Sequence, residues 1–201
     1  MDGKPDLFAT GGPRGGQAHG LTSALAAFVG DAKASEAADA RSREAFLRRS
    51  AAEEGSFAGV LVDLAERGVP LLVAGAGGRR QRGILAAVGA DFVVVRTPEG
   101  REVLLAHRGI ASVTPEPGAA EVAGDRAVTL PIGLPEALAV LAEERPRVLL
   151  VTVAGTGEGA EGGVAGELRA VGRDVVSIRL EGPDRRTAYV PVANLAEVRL
   201  G

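Results

Sequence analysis

A repeated segment constrains the fold of this chain more than any other feature. Residues 82–96 read RGILAAVGADFVVVR, and residues 165–179 read AGELRAVGRDVVSIR, at an offset of 83 positions. Upstream, LVDLAERGVPLLV is matched by LAVLAEERPRVLLV, and downstream, GIASV is matched by NLAEV. The sequence therefore predicts one structural unit that occurs twice in the chain.

The differences between the two copies indicate which face of each strand is buried. Leu85 and Leu168 stay apolar, whereas the position before them changes from Ile84 to Glu167. Such alternation predicts a β-strand with one face toward the core. In the following strand, the same parity places Phe92 on the outer face, so we expect its ring to point outward.

Each copy predicts one amphipathic helix followed by five short strands. The helices are expected near residues 56–66 and 134–144. The strands are expected near 69–76, 80–88, 91–97, 101–106 and 110–114, and again near 147–154, 164–171, 174–181, 186–191 and 195–200. Because closure removes exposed strand edges, we expect each copy to form a small, bent, antiparallel barrel. The predicted fold class is mostly β, of the α+β type.

The chain is expected to have four segments. Residues 1–55 form a flexible tail and a helical arm, 56–116 the first barrel, 117–132 a linker and 133–201 the second barrel. Within the arm, the Ala-rich sequence predicts a short helix and then a longer one near 33–53. Its apolar residues are too sparse to form a core alone, so the arm is expected to dock on the barrels or to contact a protein partner.

Composition excludes several classes of function. The chain has no Cys and two His, and the GEGAEG segment at 157–162 lies between two predicted strands, which predicts a hairpin loop and not a dinucleotide site. We therefore expect no metal, no cofactor and no enzymatic activity. No segment reaches the roughly 18 apolar residues that span a membrane, and the N-terminus lacks the order of a signal peptide. A soluble, cytoplasmic protein is expected.

Two segments of the first copy resemble the Sm/LSm family of small β-barrels, which includes the Hfq-like RNA chaperones. VPLLVAGAGGRRQRGILAAVGADFVVVR resembles the first three strands of that family, and EVLLAHRGIASVTP resembles the last two. The resemblance covers roughly residues 56–115 and, more faintly, 133–200. It implies barrels that join through their outer strands, and hence a homo-oligomer, either a dimer or a trimer that imitates a six-membered ring. A fold similar to the PRC-barrel is the alternative.

The resemblance also implies a binding site for RNA or single-stranded nucleic acid in the first copy. Phe92 matches the aromatic residue on which a base stacks in the family, and His107 matches a His near the last strand. Asp91 and Ala106 replace the Gln and the Lys that accompany them, and the second copy has Val175 in place of the aromatic residue.

An arginine cluster lies at the first hairpin of the first copy. Arg79, Arg80 and Arg82 are expected to contact phosphates, whereas the longer loop of the second copy carries Glu158 and Glu161, which would repel them. Any nucleic acid is therefore expected on the first copy.

Two functions follow from these observations. The first is a nucleic-acid-binding module of Sm-like type. The alternative is a structural scaffold or a protein-interaction and oligomerisation module that has no nucleic-acid ligand and in which the two barrels pack on each other. The arginine hairpin and Phe92 favour the first, whereas the family residues that are missing and the net charge of −3 favour the second.

Overall fold

The computed structural model describes residues 18–75, 78–127, 130–154, 163–182 and 184–201. The chain divides into two compact units, with the boundary between Arg49 and Ser50, so that both copies of the repeat lie in one unit. The first unit holds most of helix α1 (Ala18–Glu54). The prediction of two helices in this region was wrong. The helix continues through Gly30, since a glycine inside a helix costs only about 1 kcal/mol relative to Ala.

In the second unit, both copies have one helix followed by five strands, as predicted. The first copy consists of α2 (Phe57–Glu66), β1 (Leu71–Gly75), β2 (Arg80–Val88), β3 (Phe92–Arg96), β4 (Glu102–Ala106) and β5 (Ile110–Pro115). The second consists of α3 (Leu134–Glu144), β6 (Arg147–Thr152), β7 (Gly163–Val171), β8 (Val175–Leu180), β9 (Thr187–Pro191) and β10 (Leu195–Leu200). A 3-10 helix joins the fourth strand to the fifth in each copy, at His107–Gly109 and at Val192–Asn194.

The second strand of each copy depends on a glycine at the same position. A Cβ atom on Gly83 would lie 2.2 Å from the carbonyl oxygen of Arg96, and one on Gly166 would lie 2.1 Å from that of Arg179. Both distances are far below van der Waals contact, so only glycine lets the second and third strands approach this closely. A register shift follows in both strands at equivalent positions, which bends them in the same way.

The strands form one antiparallel sheet of ten strands in the order β5-β1-β2-β3-β4-β10-β6-β7-β8-β9. The mostly β class is therefore confirmed, but the structure has a single sheet where the sequence predicted two separate barrels. The reason is that β4 of the first copy pairs with β10 of the second, which joins the two sets of five strands edge to edge. Within each copy the fifth strand pairs with the first, so both copies have the same internal order.

Two apolar clusters fill the unit. The first copy contributes a cluster from α2 and from the inner faces of its strands, including Leu61, Leu85 and Val93. The second copy contributes the equivalent residues Leu138, Leu168 and Val176 to the other. Leu85 and Leu168 are both buried, so the predicted strand parity is confirmed. The second cluster also contains three residues of the first copy: Phe92, Leu104 and Ala106.

Candidate functional site

Phe92 is not available as a stacking surface. The ring does lie on the face of β3 opposite to Val93, as the parity predicted, but it is only 2% exposed. It packs in the core of the second copy, together with Leu134 and Leu138 of helix α3. The prediction of an outward, accessible ring was therefore wrong, because the second copy covers the outer face of the first.

His107 begins the 3-10 helix that follows β4 and is half-buried. Its backbone N–H donates to the carbonyl oxygen of Asp91 at 2.8 Å, and its ring meets the Phe57 ring edge-on with centroids 5.9 Å apart. Burial lowers the pKa of His107 below its ordinary value of 6.5, although the charge of Asp91 and a hydrogen bond to the Phe92 backbone oppose this effect. The buried Nε2 atom has no partner within the described residues. His107 thus contacts helix α2 and does not lie beside an accessible aromatic face.

The three predicted phosphate-binding arginines do not converge on one site. Arg82 is exposed and forms an ion pair with Glu116, whereas Arg80 lines a different cleft together with Arg101. Arg79 is half-buried and is engaged in an interaction of its own. Glu158 and Glu161, which were expected to repel phosphate in the second copy, lie outside the described residues, as does the whole GEGAEG segment.

A more extensive feature is the inner junction, which we define as the contact of β4 and Phe92 of the first copy with β10 and α3 of the second. Three residue pairs form its antiparallel ladder: Val103 with Arg199, Leu104 with Val198 and Leu105 with Glu197. Leu104 is 5% exposed and belongs to the core of the second copy. The inner junction therefore combines main-chain pairing with a shared apolar core.

Polar groups fix the inner junction at two of its edges. The Asp91 carboxylate accepts a hydrogen bond from the backbone N–H of Leu134 at 2.6 Å, and it thereby caps the N-terminus of α3 in place of the glycine that precedes this helix. Arg108 of the first copy donates to two carbonyl oxygens of the second, that of Val192 in its 3-10 helix and that of Leu195 at the start of β10. Asp91 and Arg108 of the first copy thus each contact main-chain groups of the second.

A buried carboxylate lies on the same junction. Glu197 in β10 is almost fully buried and accepts a hydrogen bond from Gln81 of the first copy at 3.0 Å, while Arg199 of its own strand also donates to it. Because a buried carboxylate is costly unless it is paired, this arrangement favours one register of β4 against β10.

The two outer ends of the sheet carry the repeat counterparts of the two strands that pair at the inner junction. Strand β9 is the counterpart of β4 in the repeat, and β5 is the counterpart of β10. Val93 and Val176 are equivalent in the repeat, and they pair with Leu105 and Val190, which are therefore equivalent too. The residue before each of these partners is Leu104 in the first copy and Tyr189 in the second. Tyr189 is 70% exposed. It was not among the predicted site residues, although aligning the fourth strands of the two copies identifies it.

Burial shows the same contrast at the other outer end of the sheet, where β5 lies. Residues 195–198 of β10 are all buried, whereas the equivalent residues 110–113 of β5 are half-buried or exposed. Phe57, the counterpart of the buried Leu134, is 45% exposed. Each outer end thus presents a strand edge and an apolar side chain whose counterparts are buried at the inner junction.

Comparisons with protein-family models, with curated proteins and with solved structures gave no significant match to this chain. Within the described ranges, the structure has no group of three or more His, Asp or Glu side chains that could hold a metal ion. Nor does any helix in those ranges have the length and apolar character that crossing a membrane requires.

Proposed function

We propose that the protein is a non-catalytic assembly module that joins copies of itself head to tail, with two Sm-like units in each chain. One observation carries this proposal. The contact that the chain makes internally, between β4 and β10, involves two different surfaces, and the counterparts of both surfaces lie at the two ends of the sheet. A contact between two different surfaces can repeat from chain to chain until it closes a ring or extends as a filament.

The repeat predicts the register of the contact between chains. Leu104 pairs with Val198 at the inner junction, and their counterparts are Tyr189 in β9 and Val113 in β5. Tyr189 of one chain is therefore expected opposite Val113 of the next chain. A strand at the end of a sheet presents unpaired N–H and C=O groups, so the pairing of β9 with β5 would satisfy two such edges at once.

The side chains at the outer ends are consistent with this arrangement. Tyr189 and Phe57 are large, apolar over most of their surface and exposed, and their counterparts at the inner junction are the buried residues Leu104 and Leu134. Burying them between chains would remove apolar surface from water, which is the dominant favourable term in most protein association.

Cysteine cross-linking tests both the assembly and its register, because the natural chain contains no cysteine. The double variant Val113→Cys/Tyr189→Cys is expected to form disulfides between chains on oxidation, giving a ladder at multiples of 20.4 kDa on a non-reducing gel. The control is the double variant Val140→Cys/Tyr189→Cys. Val140 is 66% exposed on helix α3 and lies on neither outer strand, so the control is expected to give no ladder.

Light scattering completes the test. Wild type is expected to exceed the mass of one chain at tens of micromolar, and Tyr189→Asp is expected to reduce the mass to that of a single chain without loss of folding. A strict 20.4 kDa mass for wild type at that concentration, together with no ladder from Val113→Cys/Tyr189→Cys, would refute the proposal.

Binding of RNA or single-stranded DNA by the first copy remains the second function that the sequence predicts. Its stacking residue, Phe92, is buried, and its arginines line different clefts, so no observation favours it over assembly. Absorbance of the purified protein at 260 and 280 nm tests it, because copurified nucleic acid raises that ratio.

A further inference from the structure

An arginine-rich cleft in the second copy differs from its counterpart in the first. The cleft has a volume of about 470 Å³ and lies where the end of α3, the start of β6 and the β8–β9 hairpin meet. Its charged lining residues are Arg145, Arg147, Arg179, Arg185, Glu167 and Glu181. Four arginines against two glutamates give the lining a formal charge of +2.

The counterpart in the first copy has its positive charges neutralised. That cleft, of about 340 Å³, is lined by Arg82 and Arg96. Arg82 pairs with Glu116, and Arg96 pairs across the β3–β4 ladder with Glu102 at 2.8 Å. The repeat therefore includes a cleft at this position in both copies, and in the first copy each arginine has a carboxylate partner.

In the second copy the carboxylate on the fourth strand is lost. Arg179 is the counterpart of Arg96, and the residue opposite it in β9 is Thr187, which has no charge, while Glu167 lies opposite it in β7. Among the described residues, the side chains of Arg145, Arg179 and Arg185 have no ion-pair partner. The guanidinium has been kept at this position and the carboxylate on the fourth strand has not, whereas the carboxylate that lies opposite Arg179 on the second strand, Glu167, accepts its hydrogen bond from Arg169.

The two glutamates do not cancel this charge. Glu167 accepts a hydrogen bond from Arg169 at 2.7 Å, and Arg147 lies 3.5 Å from Glu181. The hydrogen bond from Arg169, with smaller effects of Arg179 and Arg145, lowers the pKa of Glu167 below its ordinary value. Each carboxylate thus has its nearest partner in Arg169 or Arg147, and the four arginines of the lining still exceed its two glutamates by two charges.

Backbone conformation supplies an independent observation. Arg145 has φ 50° and Arg185 has φ 44°, and they are the two non-glycine residues with positive φ in the described part of the chain. The first copy has a glycine at both equivalent positions, Gly68 with φ 60° and Gly100 with φ 79°. Left-handed backbone is unfavourable for every residue with a Cβ atom, and strain of this kind concentrates at functional sites. The second copy thus has arginine at two positions where glycine is favoured, and both arginines line the same cleft.

We propose that this cleft binds an oligophosphate anion, for which inorganic pyrophosphate is the smallest example and a nucleoside diphosphate a larger one. Guanidinium groups match phosphate oxygens with paired N–H donors, and a ligand with at least two negative charges balances the lining. The volume lies in the range of small-molecule sites. This site goes beyond the proposed assembly function and does not depend on it.

Titration calorimetry of the full chain with inorganic pyrophosphate tests the site. Arg179→Gln, Arg145→Gly and Arg185→Gly are each expected to weaken binding about 10- to 100-fold, which corresponds to the loss of one charge-assisted hydrogen bond. The matched control is Arg96→Gln, the same change at the equivalent position of the first copy, and it is expected to leave affinity unchanged.

Thermal unfolding separates a binding role from a structural one. Arg145→Gly and Arg185→Gly relieve left-handed strain, so each is expected to raise the melting temperature of the ligand-free protein by about 2–4 °C while it weakens binding. A purely structural arginine would not show these two effects together.

Three results would overturn the proposal. The first is the absence of any heat of binding with millimolar pyrophosphate at low salt. The second is an equal loss of affinity in Arg96→Gln, which would show that the phosphate is attracted only by general surface charge. The third is binding of a single-stranded oligonucleotide by a chain that does not bind pyrophosphate, which would make the cleft part of a nucleic-acid surface.

Discussion

Replacing Phe92 with alanine separates the role that the sequence predicts for this residue from the role that its packing indicates. The ring is 2% exposed and contacts the core of the second copy, including Leu134 and Leu138. Removing a buried Phe side chain costs about 3–5 kcal/mol, from lost burial and from the cavity left behind. We therefore expect Phe92→Ala to lower the free energy of unfolding by about that amount.

Urea denaturation followed by far-UV circular dichroism measures this change. Val175→Ala is the matched control, since Val175 holds the equivalent position in the second copy and is only half-buried. It is expected to cost less than about 1.5 kcal/mol, the range of small changes at partly buried sites. A loss below about 1 kcal/mol for Phe92→Ala would refute the packing argument and return Phe92 to the role of an accessible stacking residue.

Two further predictions concern neighbours of this ring. Asp91→Ala removes the carboxylate that caps α3 at the N–H of Leu134, so it is expected to cost about 1 kcal/mol in urea denaturation; no measurable loss would show that another group caps this helix. Burial lowers the pKa of His107 below 6.5, so the unfolded chain takes up a proton that the folded chain does not. The free energy of unfolding is therefore expected to fall as the pH drops through that value, and His107→Gln should reduce this slope; an unchanged slope would contradict the assignment.

Much of the fold could be predicted because a comparison of the two copies shows which positions stay apolar in both. Leu85 and Leu168 stay apolar while their neighbours change, and this comparison identifies the buried face more reliably than either strand alone. The bounds of the strands followed from alternation and from turn residues, which are local properties. Helix α1 was predicted less well, because a glycine interrupts the pattern of the sequence without interrupting the helix.

The candidate site was predicted less well because it depends on contacts between the copies. The parity of Phe92 was correct, but periodicity within one strand does not show whether a second layer covers its outer face. The arginine cleft did leave a signal in the sequence, at Arg145 and Arg185. To recognise this signal, the copies must be aligned through their turns, where insertions shift the offset. The alignment must then be combined with the positive φ of Gly68 and Gly100, the counterparts of these two arginines, which only the structure shows.

The differences between the inner junction and the two outer ends indicate how a head-to-tail assembly of this protein would behave. At the inner junction, Arg108 donates to backbone carbonyls of the other copy, and Glu197 is held by Gln81. At the outer ends the corresponding residues are Ala193 and Ser112, which cannot form the same contacts. The strand edges and the apolar side chains are thus present at both places, whereas the polar contacts that fix the register are present only inside the chain. The contact between chains should therefore be weaker than the contact within each chain. Dilution should then separate the chains while the ten-stranded sheet of each chain stays intact.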